Sequence, residues 1–236
     1  LGYIGFIPAR AGSERVENKN TRPFAGFEGG LLELKLRQLV NVSRLDEIII
    51  SSNDPIILEY AERFAHEVDE RIVPLERPDE FGNSATSMER FIADYIAYLR
   101  SSGIIMWTHV THPFVTSRIY NEAIDAYERA ILEGCDSLVG ATRIQKFLWS
   151  NGKPFNYDNS TEKWPRSQDL PVLWEINHAI YMMPFEVMQV SGDRITKNSF
   201  FMQMEEGVAM DIDWEGQFQL MEEIALARVA RGKSLI

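Results

Sequence analysis

The sequence predicts an α/β fold, a mostly parallel sheet covered by helices on both faces and carrying a small protruding arm. Three observations carry this reading. From residue 3 to residue 141, short apolar runs bounded by turn residues alternate with stretches of helical spacing. The links between them are short, as strand–helix–strand units require. The rhythm then breaks over 143–173 into polar and aromatic residues with Gly152, Pro154, Pro165 and Pro171, too irregular for a helix and too long for an ordinary connection.

The first strand is Tyr3-Ile4-Gly5-Phe6-Ile7-Pro8, an apolar run that ends in a turn-rich, charged segment. Over 31–42, Leu32, Leu36 and Leu39 have helical spacing, and Glu47-Ile48-Ile49-Ile50 follows as a second buried strand. Asp54-Pro55 combines an N-cap with proline at the first helical position, opening a helix over 56–64. Thr86 and Glu89 are spaced as a capping box for a helix reaching Leu99. A strand over 104–110, a helix over 117–132 and a strand at Ser137-Leu138-Val139-Gly140-Ala141 complete the alternation. After the arm, 179–182 reads as a returning strand and 214–231 as a final amphipathic helix. The order is Rossmann-like, and such sheets bind ligands at the carboxyl ends of their strands. One domain over 1–236, with the arm inserted at 143–173, is expected. Phe147, Trp149, Phe155, Tyr157 and Trp164 would leave that arm with much exposed apolar area, so a homodimer that covers it is expected, a self-packed flap being the alternative.

Charge narrows the function. The 236 residues carry a formal net charge of -11, which argues against nucleic acid, whose binding depends on Lys and Arg neutralising phosphates. One cysteine, Cys135, permits no intramolecular disulfide, and the longest apolar runs are far too short to span a bilayer, so a cytoplasmic setting without a membrane partner is expected. Any anionic ligand needs a local exception to the acidity. Residues 10–22 are that exception, setting Arg10, Arg15, Lys19 and Arg22 against Glu14 and Glu17.

The loop Pro8-Ala9-Arg10-Ala11-Gly12-Ser13-Glu14-Arg15-Val16-Glu17-Asn18-Lys19-Asn20 has the spacing of neither a P-loop nor a dinucleotide fingerprint. Its physics is similar: small Ala11, Gly12 and Ser13 let backbone amides approach an anion, Arg10 and Lys19 supply charge, and Asn20 supplies an amide donor. A solvated basic loop is the competing interpretation. Near the other end, Asp211 and Asp213 alternate along an extended segment and so share a face, where two carboxylates can grip one cation. Hard oxygens, with phosphate and water completing the shell, suit Mg²⁺. Asp213 directly before Trp214 also suits an N-cap of the last helix.

The loop resembles the N-terminal signature of the acylneuraminate cytidylyltransferases, or CMP-sialic acid synthetases, written Ala-Arg-x-Gly-Ser-Lys followed by Lys-Asn. Further matches follow in family order: Ser51-Ser52-Asn53-Asp54, Arg77-Pro78-Asp79-Glu80, Pro165-Arg166-Ser167-Gln168, Asn177-His178-Ala179-Ile180-Tyr181 and Asp211-Ile212-Asp213. Each is weak alone; their shared order covers nearly the whole chain. The resemblance implies that Arg10, Ala11, Gly12, Ser13, Arg15, Lys19 and Asn20 contact the nucleotide, with Arg77, Ser87 and His109 near its base and ribose. It implies a sugar site with Asn177, Tyr181 and Arg166, the last meeting a carboxylate from the neighbouring subunit's arm. A planar guanidinium suits that role because two parallel hydrogen bonds orient the carboxylate. Arg10, Lys19 and Asp211 would carry catalysis, with Mg²⁺ on Asp211 and Asp213.

The implied reaction joins CTP and an acidic 2-keto sugar, giving the CMP-sugar and pyrophosphate. Glu14 stands where the family carries Lys, His178 where it carries Gly, and His109 where it usually carries Gln. The segment before Asp211 is also shorter than in typical sialic acid enzymes. These departures bear on the identity of the sugar. A metal-dependent nucleotide-sugar glycosyltransferase or a non-catalytic nucleotide-binding relative would use a similar fold, but the acidic pair lies near the chain's end, with no acceptor-binding region after it.

Overall fold

The computed structural model describes residues 1–12, 15–82 and 85–236. Its elements run β1 (Tyr3–Pro8), α1 (Gly30–Val40), β2 (Leu45–Ser52), α2 (Pro55–Glu67), β3 (Ile72–Glu76), α3 (Asp79–Gly82), α4 (Met88–Asp94) and β4 (Ile104–Thr108). They continue with α5 (Ser117–Leu132), β5 (Ser137–Ile144), the two-residue strands β6 (Trp149–Ser150) and β7 (Lys153–Pro154), β8 (Leu173–Pro184), α6 (Phe185–Ser191), β9 (Ser199–Met204) and α7 (Glu215–Ala230). Seven strands form one sheet in the order β3-β2-β1-β4-β8-β5-β9. All run parallel except β8, which pairs antiparallel with both β4 and β5.

Both faces are covered, as expected. Ile7, Ile48, Ile50, Met106, Leu138 and Met182 point to the face under α1, α2, α5 and α7. Their alternating neighbours Phe6, Ile49, Ile105, Trp107, Val139 and Tyr181 point to the face under α4 and α6. This period of two, buried on both sides, is why the strands read as continuous apolar runs. Asp54 caps α2 by accepting from the Ile56 N–H at 3.0 Å, with Pro55 opening the helix.

Three details differ from expectation. The cap of α4 is Ser87, which accepts from the Arg90 N–H at 3.1 Å, whereas the Thr86 hydroxyl donates to the Glu80 carbonyl; serine offers the same capping chemistry one residue later. Asp213 does not cap α7. Instead, the Gln217 side chain reaches back to accept from the N–H groups of Asp213 and Trp214, at 2.8 and 2.9 Å. Nor is α7 one-sided, since it buries Phe218, Met221 and Ala225 yet leaves Leu220, Leu226 and Val229 about half exposed. Strands β3 and β9 and helix α6 were not anticipated in the sequence.

Between β5 and β8, the β6–β7 hairpin turns on Asn151 and Gly152, with φ of 51° and 75°. Positive φ at both central residues is what a tight hairpin turn requires, and Asn-Gly supplies it cheaply. Among the described residues, no helix is long and apolar enough to cross a membrane.

Candidate active site at the carboxyl edge of the sheet

The carboxyl end of β1 is pinned to that of β2. The Ala9 N–H donates to the Ser51 carbonyl at 3.0 Å, the Ser52 hydroxyl donates to the Ala9 carbonyl, and the Ala11 N–H donates to Asn53 Oδ1 at 3.0 Å. The motif Ser51-Ser52-Asn53-Asp54 is therefore a scaffold that sets the departure of the loop from the sheet. Gly12, exposed at φ 74°, has open space around it, so a side chain there would meet backbone strain rather than a neighbour. Ser13 and Glu14 lie outside the described residues.

The rest of the basic loop docks on the acidic segment before α7. Arg15 pairs with Asp213 at 2.7 Å and lies 5.0 Å from the Trp214 ring centroid. Lys19 Nζ donates to the Ile212 carbonyl at 2.7 Å, and Arg22 forms a two-pronged pair with Glu215 at 2.9 and 3.1 Å. Burial, together with Arg15 and Arg10, lowers the Lys19 pKa, against the pull of Asp211 and Asp213 in the opposite direction. Exposed Arg10 makes no ion pair among the described residues.

Two adjoining cavities share Pro8, Arg10 and His109. One, of 230 Å³, is lined by Arg10, Arg15, Lys19 and Asn20 and by the backbone end of β4, a shape and charge suited to phosphates. The other, of 350 Å³, is lined by Arg10, Arg77, Phe81, Phe91 and Trp107, a flat aromatic and cationic enclosure suited to a planar base. Arg77 is buried and held in place: its Nε and Nη2 donate to Ser51 Oγ and O at 3.2 and 2.6 Å, and its guanidinium lies 4.6 Å from the Phe91 centroid. Burial pulls its pKa down to about 10. His109 accepts at Nε2 from the Trp107 indole N–H at 3.1 Å. Because an indole N–H only donates, the neutral ring carries its proton on Nδ1. Burial, then the positive neighbours, keeps its pKa well below the ordinary value. Ser87 is exposed and capping; its neighbours Thr86 and Met88 line the second cavity.

Farther along the same edge, β8 bulges. Where β5 advances two residues, from Val139 to Ala141, β8 advances five, from Tyr181 to Ile176. Asn177 braces the bulge: its Nδ2 donates to Thr142 Oγ1 at 3.2 Å and its Oδ1 accepts from the Ala179 N–H at 3.1 Å. His178 sits at φ 60°, the left-handed region that favours glycine, which accounts for the glycine expected at this position. Its Nδ1 lies 2.6 Å from the Tyr181 hydroxyl. Asn177, His178, Asp211 and Asp213 line one cavity, and His178 and Tyr181 line the next.

His112, just past the end of β4, is fully buried. Its Nε2 is 2.8 Å from the Asn177 carbonyl, and its Nδ1 is 3.8 Å from Asp211 Oδ1. Neither Nδ1 nor that Oδ1 has a hydrogen-bond partner among the described residues. Lys35, also fully buried, donates to the His112 carbonyl at 3.0 Å and the Tyr120 hydroxyl at 2.7 Å, bracing this turn from below. Arg166 is not brought to the cleft of its own chain; exposed in the arm, it pairs with Asp169 at 2.7 and 3.1 Å.

A family model described as "Cytidylyltransferase" matches residues 4–232. Two curated relatives are pseudaminic acid cytidylyltransferases of Campylobacter jejuni subsp. jejuni, from serotypes O:2 and O:23/36. They are 29% and 30% identical over 183 residues, which span 74% of this chain and 75% of each relative. Among solved structures, the fold is similar to a CMP:2-keto-3-deoxy-manno-octonic acid synthetase complexed with CTP, with a TM-score of 0.67 at 12% identity over 98% of this chain and 100% of the other. It is also similar to a 4-diphosphocytidyl-2C-methyl-D-erythritol synthase from Anaerococcus prevotii, with a TM-score of 0.65 at 14% identity over 98% and 99%.

Proposed function

The chain belongs to the cytidylyltransferase family of nucleotidyltransferases, and on that premise we propose that it activates a nonulosonic acid of the pseudaminic acid class with CTP. The observation that carries this reading is the pair of joined cavities, one cationic and one aromatic, at the carboxyl edge of the sheet. The names of the two Campylobacter relatives support the sugar class.

In the reaction, the anomeric hydroxyl oxygen forms a bond to the α-phosphorus. The bond from that phosphorus to the bridging oxygen breaks, pyrophosphate leaves, and the hydroxyl proton is released. Arg10 and Lys19 hold and neutralise the phosphates, while Arg77, His109, Phe81 and Phe91 enclose the base and ribose. Most of the acceleration then comes from positioning and charge stabilisation. Asn177 and Tyr181 belong to the sugar side of the cleft. Arg166 contributes from a neighbouring copy, since its own chain's cleft does not receive it.

The residues fit a hard divalent cation. Asp211 Oδ1 is buried without a donor among the described residues, which is costly unless a cation or water meets it, and Mg²⁺ needs only one or two carboxylates when phosphates and water complete its shell. Asp211 would hold it with Asp213, which must then exchange Arg15. Bound there, Mg²⁺ would neutralise charge on the triphosphate and the departing pyrophosphate.

The test is pyrophosphate release with Mg²⁺, each of four nucleoside triphosphates, and sialic, legionaminic, pseudaminic and eight-carbon ulosonic acids. Release with CTP and a nonulosonic acid is expected. No release from any pair would contradict the proposal.

A further inference from the structure

Beyond the bulge of β8 lies a 490 Å³ cavity whose walls include Met88, His178, Tyr181, Gly192 and Arg194. It adjoins the sites already described: Met88 also lines the base enclosure, and His178 also lines the cavity of Asp211 and Asp213. A sugar joined to the α-phosphorus has to extend into space of this kind.

Arg194 dominates it. The guanidinium is stacked against two rings, 4.3 Å from the Tyr181 centroid and 4.8 Å from that of Trp107. This holds its plane and removes most of its rotamer freedom before any ligand arrives. Its Nη2 lies 3.3 Å from His178 Nδ1, while Nη1 is buried without a hydrogen-bond partner among the described residues. No carboxylate forms an ion pair with it among the described residues. A guanidinium left this way is expensive, because the desolvation of its Nη1 arm is not repaid by an acceptor. Burial accordingly pulls its pKa down, against the pull of Tyr181 and Asp193. A preorganised guanidinium that lines a cavity adjoining the nucleotide site, with one donor arm on His178 and the other unmet among the described residues, is suited to a ligand oxygen.

We infer that Arg194 is a specificity-determining residue that receives an acceptor oxygen of the sugar acid, borne on its carboxylate or on an N-acyl carbonyl. This rests on the cytidylyltransferase reading given above. It places an oxygen-recognising arginine within the chain that holds the nucleotide, independently of Arg166 from a neighbour. His178 then has a second role, since its left-handed backbone brings Nδ1 between the Tyr181 hydroxyl and the Arg194 fork.

The experiment is calorimetric titration of two sugar acids into wild-type, Arg194→Met and Arg194→Lys proteins. Each protein is loaded with Mg²⁺ and a non-hydrolysable CTP analogue, so that binding is read without turnover. One acid is an N-acylated nonulosonic acid, the other an eight-carbon ulosonic acid with a carboxylate and no acyl group. Losing charge-assisted hydrogen bonds predicts roughly tenfold to a hundredfold weaker sugar binding by Arg194→Met. Arg194→Lys should fall between, and the affinity for the CTP analogue should stay within about twofold. A loss for both acids assigns the carboxylate; a loss for the acylated acid alone assigns the acyl carbonyl. Unchanged affinity for both acids, or a wild type that binds neither, overturns the inference. A structural arginine would lower the melting temperature on replacement, whereas this one should leave it unchanged or raised in the free protein. Cytidylyl transfer is assayed separately: its absence in a wild type that binds sugar through Arg194 would remove the functional reading and leave this one standing.

Discussion

In the cleft, among the described residues, Arg194 Nη1 and Asp211 Oδ1 are buried polar atoms without partners and the exposed Arg10 makes no ion pair. In the arm, the polar groups are satisfied locally. Asn156 bonds the Leu148 N–H and the Lys146 carbonyl at 3.0 and 2.9 Å, Gln145 donates to the Gln168 and Leu170 carbonyls, and Arg166 is paired with Asp169. What the arm lacks is cover for its apolar area: Trp149, Phe155 and Trp164 are 51%, 67% and 61% exposed. A region missing polar partners awaits a polar ligand, and one missing apolar cover awaits another protein surface. The two regions thus lack different things, and the proposed function would complete the first with substrate and cation and the second with a copy of the chain.

The strongest way to break this contrast is Asp211→Asn. Removing the carboxylate should lower turnover by about a hundredfold or more, while thermal stability stays level or rises because the acidic oxygen has no donor to lose. Unchanged turnover at saturating Mg²⁺ would remove the metal role.

On the arm, Phe155→Glu should weaken self-association by at least about tenfold in sedimentation, as expected for a charge placed in an apolar contact. A wild type that sediments as a monomer would refute the homodimer. If a dimer forms, mixing equal amounts of Arg166→Ala and Arg10→Ala chains should restore about a quarter of wild-type activity, because half the dimers are mixed and each holds one intact site. No recovery would place the action of Arg166 elsewhere.

The smallest effect concerns pH. His109, His112 and His178 are all held below the ordinary value of 6.5, by burial first. Their neutral forms are favoured in the folded chain, so the unfolded chain takes up protons first as pH falls. Their stabilising contribution is complete above 6.5 and is lost as pH drops below it through their lowered folded values. The melting temperature should fall between about pH 7 and pH 5, and His109→Gln should make that fall shallower. An unchanged slope would show that His109 takes no part in the acid response.

Much of the architecture was legible because its signals are local. Pro8 ends an apolar run, Asp54-Pro55 opens a helix, and the periodicity of 117–132 coincides with α5. The arm's limits were legible as a loss of rhythm, matched by the end of β5 at Ile144 and the start of β8 at Leu173. Strand β9 was not, since its register comes from pairing with β5, sixty or so residues earlier. In the site, a basic island and an acidic pair stood out in the sequence, but not that Arg15, Lys19 and Arg22 dock on the acidic segment itself. Arg194 carried no signal, because its meaning comes from Trp107 and Tyr181 on two different strands. His112 carried none for a similar reason: only the fold reveals that its Nε2 meets the Asn177 carbonyl.

The most direct measurement follows the α-phosphorus. With α-³²P-labelled CTP, Mg²⁺ and a nonulosonic acid, the account predicts label in a sugar-linked CMP product and unlabelled pyrophosphate in equal amount. Label recovered only as free CMP or unreacted CTP, across the panel of acids, would contradict cytidylyl transfer to a sugar acid.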